Sequence, residues 1–244
     1  MVISFYELMY ILIMNFNFNN LSEQNFSSNA GQYLRPFGIY KVNLTKIEKT
    51  ELKGSKDPNA TYPIIALEFT GCGDDHGIFT TNVFIPTTQE DMERKTLANK
   101  NGHESQVPSR FEDFQFTLMQ IVHALNPAGE EKIKENASKI KSIDQFIDLI
   151  IKAVTGKEKV ETSIKLTGRN NNGTWYAAIP RACGINKSGE IFPVNFIGEN
   201  LAFSNYELSQ MKMYQNAKPT NMDKEVEDTP DTKEGDIDLD NLEL

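Results

Sequence analysis

Apolar and polar side chains begin to alternate near Arg35. In FGIYKVNLTKIEKTEL (37–52), Tyr40, Val42 and Leu44 fall on one side, and Lys41, Asn43 and Thr45 on the other. That period of two predicts a half-buried strand. The turn GSKDPN (54–59) separates it from YPIIALEFT (62–70), whose Ile65, Leu67 and Phe69 form an inner face. A Gly-studded turn, GCGDDHG (71–77), leads into IFTTNVFIP (78–86), where Phe79, Val83 and Ile85 oppose Thr80, Asn82 and Phe84. Three strands joined by short links predict an antiparallel meander.

The period then changes. Residues 89–108 are polar, contain NKNGHESQ and read as a mobile loop. From Ser109, with Glu112 at capping-box spacing, Phe111, Phe114, Leu118, Ile121, Val122 and Leu125 share a helical face up to the stop at Asn126-Pro127. A weaker Lys-rich helix is expected over 129–140. Ser142 caps a third, striped by Ile143, Phe146, Ile147, Ile150, Ile151 and Val154 and ending at Gly156. These stripes read as core.

Alternation returns in KVETSIKLTG (159–168). RNNNG is the kind of turn that closes a hairpin, and TWYAAIPRA (174–182) is its partner strand. GINKSGEIFPVNFIG (184–198) can add a further hairpin through its KSG turn, and residues 200–215 read as a short amphipathic closing helix or coil. The order of meander, helices and hairpin predicts a mainly β fold with an α insertion. Specifically, it matches an OB-fold-like five-stranded antiparallel barrel with a helical segment, about 109–156, between strands 3 and 4. Other small barrels and α+β folds share that order. The divisions are an arm at 1–34, this domain at 35–218 and a tail at 219–244.

Charge sharpens the picture at the C-terminus. Residues 223–244 carry ten acids against Lys224 and Lys233, which leaves 24 acids and 23 bases elsewhere in a chain of net charge −9. Such a segment repels itself and buries little, so disorder is expected. Its end, DIDLDNLEL, interleaves Ile237, Leu239, Leu242 and Leu244 with Asp236, Asp238, Asp240 and Glu243, a pattern that a basic, apolar-floored groove can grip.

At the other terminus, MVISFYELMYILIM is too short to span a bilayer, where about 20 residues are needed, and lacks the basic start of a signal peptide. Met14 offers a second start, so the first 13 residues read as a mis-called start or a loosely attached segment. An Asn-rich arm follows; strand exchange through it allows a homodimer. A cytoplasmic setting is the expectation, in the host cell if the chain is phage-encoded, and two cysteines form no disulfide framework.

Catalytic signatures are missing. There is no GxxxxGK[ST], no GxGxxG between a strand and a helix, no HExxH and no GxSxG. Cys72, His76 and the distant Cys183 lack the paired spacing of a zinc site. No enzyme, cofactor or metal is expected, and no membrane partner. Binding is better supported: sequence-tolerant single-strand binders combine a basic groove with aromatic faces. Candidates are Arg35, Phe37, Tyr40, Lys41 and Lys46 on the first strand, Phe84 on the third, and Lys165, Arg169, Trp175, Tyr176 and Arg181 about the later hairpin. Because neighbours on a strand face opposite ways, at most one of Trp175 and Tyr176 is expected to stack on a base.

FGIYKVNLTKIEK and YPIIALEFTG, followed by KLTGRNNNGTWYAAIPRA and the DIDLDNLEL terminus, resemble phage-encoded single-stranded DNA-binding proteins. The resemblance covers about residues 35–244. It implies an OB-fold with a disordered acidic tail that docks on replication and recombination proteins and competes with DNA for the groove. Two features depart from that group: the tail ends in Leu244 where several members end in Phe, and the helical segment is longer. A phage structural or cargo protein acting as an interaction module is the alternative. It predicts no nucleic-acid affinity.

Overall fold

The computed structural model describes residues 33–54, 57, 59–98 and 104–217. The arm and start-codon readings before Tyr33 and the tail residues 218–244, including Asp236, Ile237, Asp238, Leu239, Asp240, Leu242, Glu243 and Leu244, lie outside them.

The meander forms as its alternation predicts. β1 (Gly38–Lys53), β2 (Thr61–Gly71) and β3 (Ile78–Phe84) pair antiparallel in sequence order. A bulge at Thr45 shifts the register between Leu44 and Lys46. Because side chains alternate, one extra residue exchanges the faces beyond it. Leu44 opposite Phe69 and Ile47 opposite Leu67 thus keep facing the core, while Lys46 turns out. β6 (Glu161–Asn171) pairs with the start of β1, and β7 (Thr174–Ala178) with the end of β6. The β6–β7 turn is Asn172-Gly173, both at positive φ (51° and 90°), as a two-residue mirror-image turn requires.

The five strands lie in the order β3-β2-β1-β6-β7. Their number and antiparallel sense are as expected; the closed barrel is not. β3 and β7 are the sheet's two edges and do not pair. Leu34 N–H instead donates to Ile78 O on the β3 side at 3.1 Å. The chain around Phe196 takes the edge of β6 ahead of β7, with Lys165 N–H donating to Phe196 O at 2.7 Å. Both would-be closure edges are therefore partly occupied by local chain.

Of the polar stretch expected to be a mobile loop, the described residues 89–98 and 104–108 are not structureless. They hold α1 (Gln89–Met92) and a hairpin of β4 (Lys95–Ala98) and β5 (Glu104–Val107). Polar anchors do the work that an apolar stripe does elsewhere. Arg94 pairs with Glu112 at 2.6 Å and donates to Gly189 O at 2.9 Å. Buried Asp91 accepts from Thr88 Oγ1 (2.8 Å), the Thr87 and Thr88 amides and Arg110 (3.0 Å).

α2 (Arg110–Leu125) starts at the Ser109–Glu112 capping box, and α3 (Pro127–Glu135) and α4 (Ile143–Val154) follow. Phe114, Leu118 and Ile121 of α2 and Phe146, Ile147 and Ile150 of α4 pack into one core with Val42, Leu67, Phe69, Ile164 and Leu166 of the sheet. Each such buried side chain contributes about 1.5–3 kcal/mol. Asn126 locks the α2–α3 corner, accepting from Gly129 N–H and donating to Ala153 O. A hairpin of β8 (Cys183–Ile185) and β9 (Ile191–Pro193) forms through the KSG turn, and α5 (Asn205–Asn216) is the last described element. No helix among the described residues is long and apolar enough to cross a membrane.

Burial alone would raise the Asp91 carboxyl, but bonds from Thr88, Thr87 and Arg110 hold it below its ordinary value of 3.8. A lowered folded pKa contributes stability above the unfolded value and loses it as pH falls through the folded one. Asp91→Asn should therefore cost about 1–3 kcal/mol at pH 7, and urea melts of variant and parent should converge below that folded pKa. Equal stability at pH 7 would refute this role.

Candidate nucleic-acid interface

The proline at 36 and a left-handed backbone at Phe37 (φ 57°) turn the chain into β1. An aromatic residue rarely adopts that conformation, which costs about 1–2 kcal/mol, so something must hold it there. Its ring lies 5.5 Å from Trp175 on β7 and 5.6 Å from Tyr214 on α5. Trp175 and Tyr214 complete the triangle at 6.0 Å, edge to face. Gly168 makes the approach possible, since a Cβ there would fall on Phe37 and Trp175. Tyr40 packs in the same way over Gly38, and its hydroxyl donates to Arg35 O at 3.0 Å.

Around this cluster the candidates separate. Arg169 stands directly opposite Tyr176, and Trp175 opposite Asn170. Trp175 and Tyr176 therefore present to opposite sides of the hairpin, as the alternation predicts, and each is half-buried. Arg35, Phe37, Tyr40, Arg169, Trp175 and Tyr176 gather where β1 begins and the β6–β7 hairpin turns.

The others do not join them. Phe84, on edge strand β3, pairs opposite Ile64 of β2, which itself pairs with Thr50, thirteen residues along β1 from Phe37. Lys46 is held by Glu48 at 2.6 Å, nine residues along β1 from Phe37. Lys41 lies closer but pairs with Glu161 at 3.4 Å. Arg181 stands past the end of β7, near the Asp113 carboxyl.

Lys165 requires a correction. Its place on the outer side of an alternating strand suggested an exposed cation, but it is 2% exposed. Its ammonium donates to Ala202 O at 3.0 Å, sits 3.1 Å from the buried Glu207 carboxylate of α5, and lies 5.8 Å above the Phe203 ring. It is a structural anchor. Glu207 and Tyr214 are seven residues apart, two helical turns, and so lie on one face of α5. Tyr214 is the residue the sequence reading missed, and this spacing was its only trace.

The thiols are quiet. Burial, and then the carboxylate of Asp113, pushes Cys183 up to about 12, and burial also raises Cys72. Neither is a reactive thiolate at neutral pH. Among the described residues no three His, Cys, Asp or Glu side chains come together to hold a metal ion. No family model, curated protein or solved structure matches the chain.

Removing one partner of a buried ion pair strands the other, at about 3–5 kcal/mol. Lys165→Ala and Glu207→Ala should each destabilise by that order in urea. The double variant Lys165→Met/Glu207→Leu should recover much of the loss. Single variants as stable as the parent would show that the pair does not hold α5.

Proposed function

We propose that this protein is a non-enzymatic, sequence-tolerant single-stranded DNA-binding protein of phage-like replication or recombination, and that its sheet is an opened OB-like arrangement. The observation that carries the reading is the Phe37–Trp175–Tyr214 cluster, with Arg35 two residues from Phe37 and the Arg169–Tyr176 pair on the other side of the same hairpin. Aromatic faces next to guanidinium groups are what unpaired bases and phosphates require together, and every base offers a π-face whatever its identity. The strained Phe37 supports it, since backbone strain of this kind concentrates at binding sites. The strand order, in which β1 pairs with both β2 and β6, supports the OB-like reading.

Trp175 is the only tryptophan, which gives the site its own reporter. Titration with oligo-dT should quench its fluorescence, and affinity should fall about tenfold or more between 50 and 200 mM salt as phosphate contacts release counterions. Phe37→Ala should weaken binding by about 5- to 150-fold, the range of one stacked base. Lys46→Ala and Phe84→Ala, outside the cluster, should change it little. No retained oligonucleotide at low salt would end this reading.

Described structure stops at Ala217, three residues past Tyr214, so the acidic tail is tethered at the cluster. Its eight net negative charges would compete with phosphates for the same cations. Deleting residues 223–244 should tighten oligo-dT binding several-fold at low salt, with the gain fading at high salt. Unchanged affinity would leave the tail a role only towards partner proteins or solubility.

A further inference from the structure

A large groove is left over once the core and the aromatic cluster are accounted for. It measures about 1730 Å³ and runs between the outer side of α2, the start of α4 and the chain after β9. Ile39, Phe116, Met119, Ile140, Ile143 and Leu201 give it an apolar floor. Ile39 is 42% exposed, although it belongs to a paired strand. Polar groups of Gln115, Thr162, Ser163, Asn195 and Asn200 rim it.

We propose that the occupant of this groove is the chain's own N-terminal arm, residues 15–32, seated by Phe16, Phe18, Leu21 and Phe26. Reach permits it. The arm joins the described chain at Tyr33, six residues before Ile39 on the groove wall, so the junction lies within about 21 Å of that wall. Residues 16–26 are then 7 to 17 residues from the junction, enough chain to lie along the whole groove.

Chemistry selects this occupant over the other end of the chain. The charged lining is Glu130, Glu161 and Glu199 against Lys134 and Lys141, with His123 hydrogen-bonded to Glu130. Those side chains leave no positive field to hold a tail of eight net negative charges. The arm carries Glu23 as its sole charge, and its large apolar groups are separated by Asn, Ser and Gln. A segment of that kind buries its aromatic rings, about 150–250 Å² each, against an apolar floor. Its amides meanwhile find hydrogen-bond partners at a polar rim. Residues 1–13 play no part, so the proposal holds from either start.

The test places the photo-crosslinker p-benzoylphenylalanine at Phe18 of the full chain, without DNA, in an equal mixture of light and ¹⁵N-labelled protein. Irradiation should join position 18 to peptides carrying Phe116 and Met119 or Ile140 and Ile143, within chains of a single isotope. Ile39→Lys, a change at an exposed side chain, should lower that yield at least fivefold. Crosslinks scattered over other surfaces, or an unchanged yield in Ile39→Lys, would overturn the proposal. Mixed-isotope products would overturn it in favour of an arm donated by a second copy.

Discussion

A lysine inside the fold sets what the last third of the chain must do. Lys165 lies between Ile164 and Leu166, both fully buried, so its ammonium is drawn out of water with the strand. An isolated buried charge is prohibitively costly, and it persists only with a counter-charge and further hydrogen bonds. Glu207 and the Ala202 carbonyl supply these, which fixes the start of α5 against β6. Glu207 is itself tied into the Ser204 cap, accepting from the Ser204 amide at 2.6 Å, so helix initiation and charge neutralisation are one event. Two turns later the same helix face delivers Tyr214 to Phe37 and Trp175. The aromatic cluster therefore depends on an ion pair that touches none of its rings.

Local periodicity carried most of the fold. The meander, the hairpin at Asn172-Gly173 and the capped helices at Ser109 and Ser142 each declare themselves within ten or so residues, because alternation, cap and turn chemistry are local. What was not legible depended on distant partners. The β4–β5 hairpin lacks an apolar stripe and is anchored beside α2 by Arg94 and Glu112, 18 residues apart. Barrel closure hinges on which chain reaches each sheet edge first, and residues 33–34 and 194–198 carry no signal of that competition. Lys165 looked like a surface cation because alternation reports which side of a strand a residue is on, not whether that side is covered.

The candidate site was legible as residue types but not as a place. Eleven residues spread on and beside four strands reduce to six near one corner of the sheet, and strand order makes the first part of that reduction. β1 neighbours β6, so Phe37 meets Gly168 and Trp175; β3 lies beyond β2, so Phe84 is carried away. Charge sorts the remainder. Lys41 and Lys46 have carboxylates within 3.4 Å and 2.6 Å, and a cation already paired has less field to offer a phosphate.

This sorting also bears on how a body of near-neutral charge would bind a polyanion under the proposed function. Strength would have to come from rings rather than from a broad basic surface, with guanidinium groups placed where the rings are. Arg suits that task better than Lys, because its planar head stacks and forks to phosphate oxygens at the same time. Arg35 stands beside the cluster and Arg169 on the other side of the same hairpin, whereas Lys41 and Lys46 of the first strand are held in pairs with carboxylates of the sheet. A site built this way depends on the posture of Phe37, whose left-handed backbone is held by Trp175 and Tyr214. The ring that would meet a base is thus positioned by the helix from which the acidic tail departs. Anything that moves α5 would alter the posture of the Phe37 ring and the point from which residues 218–244 continue together.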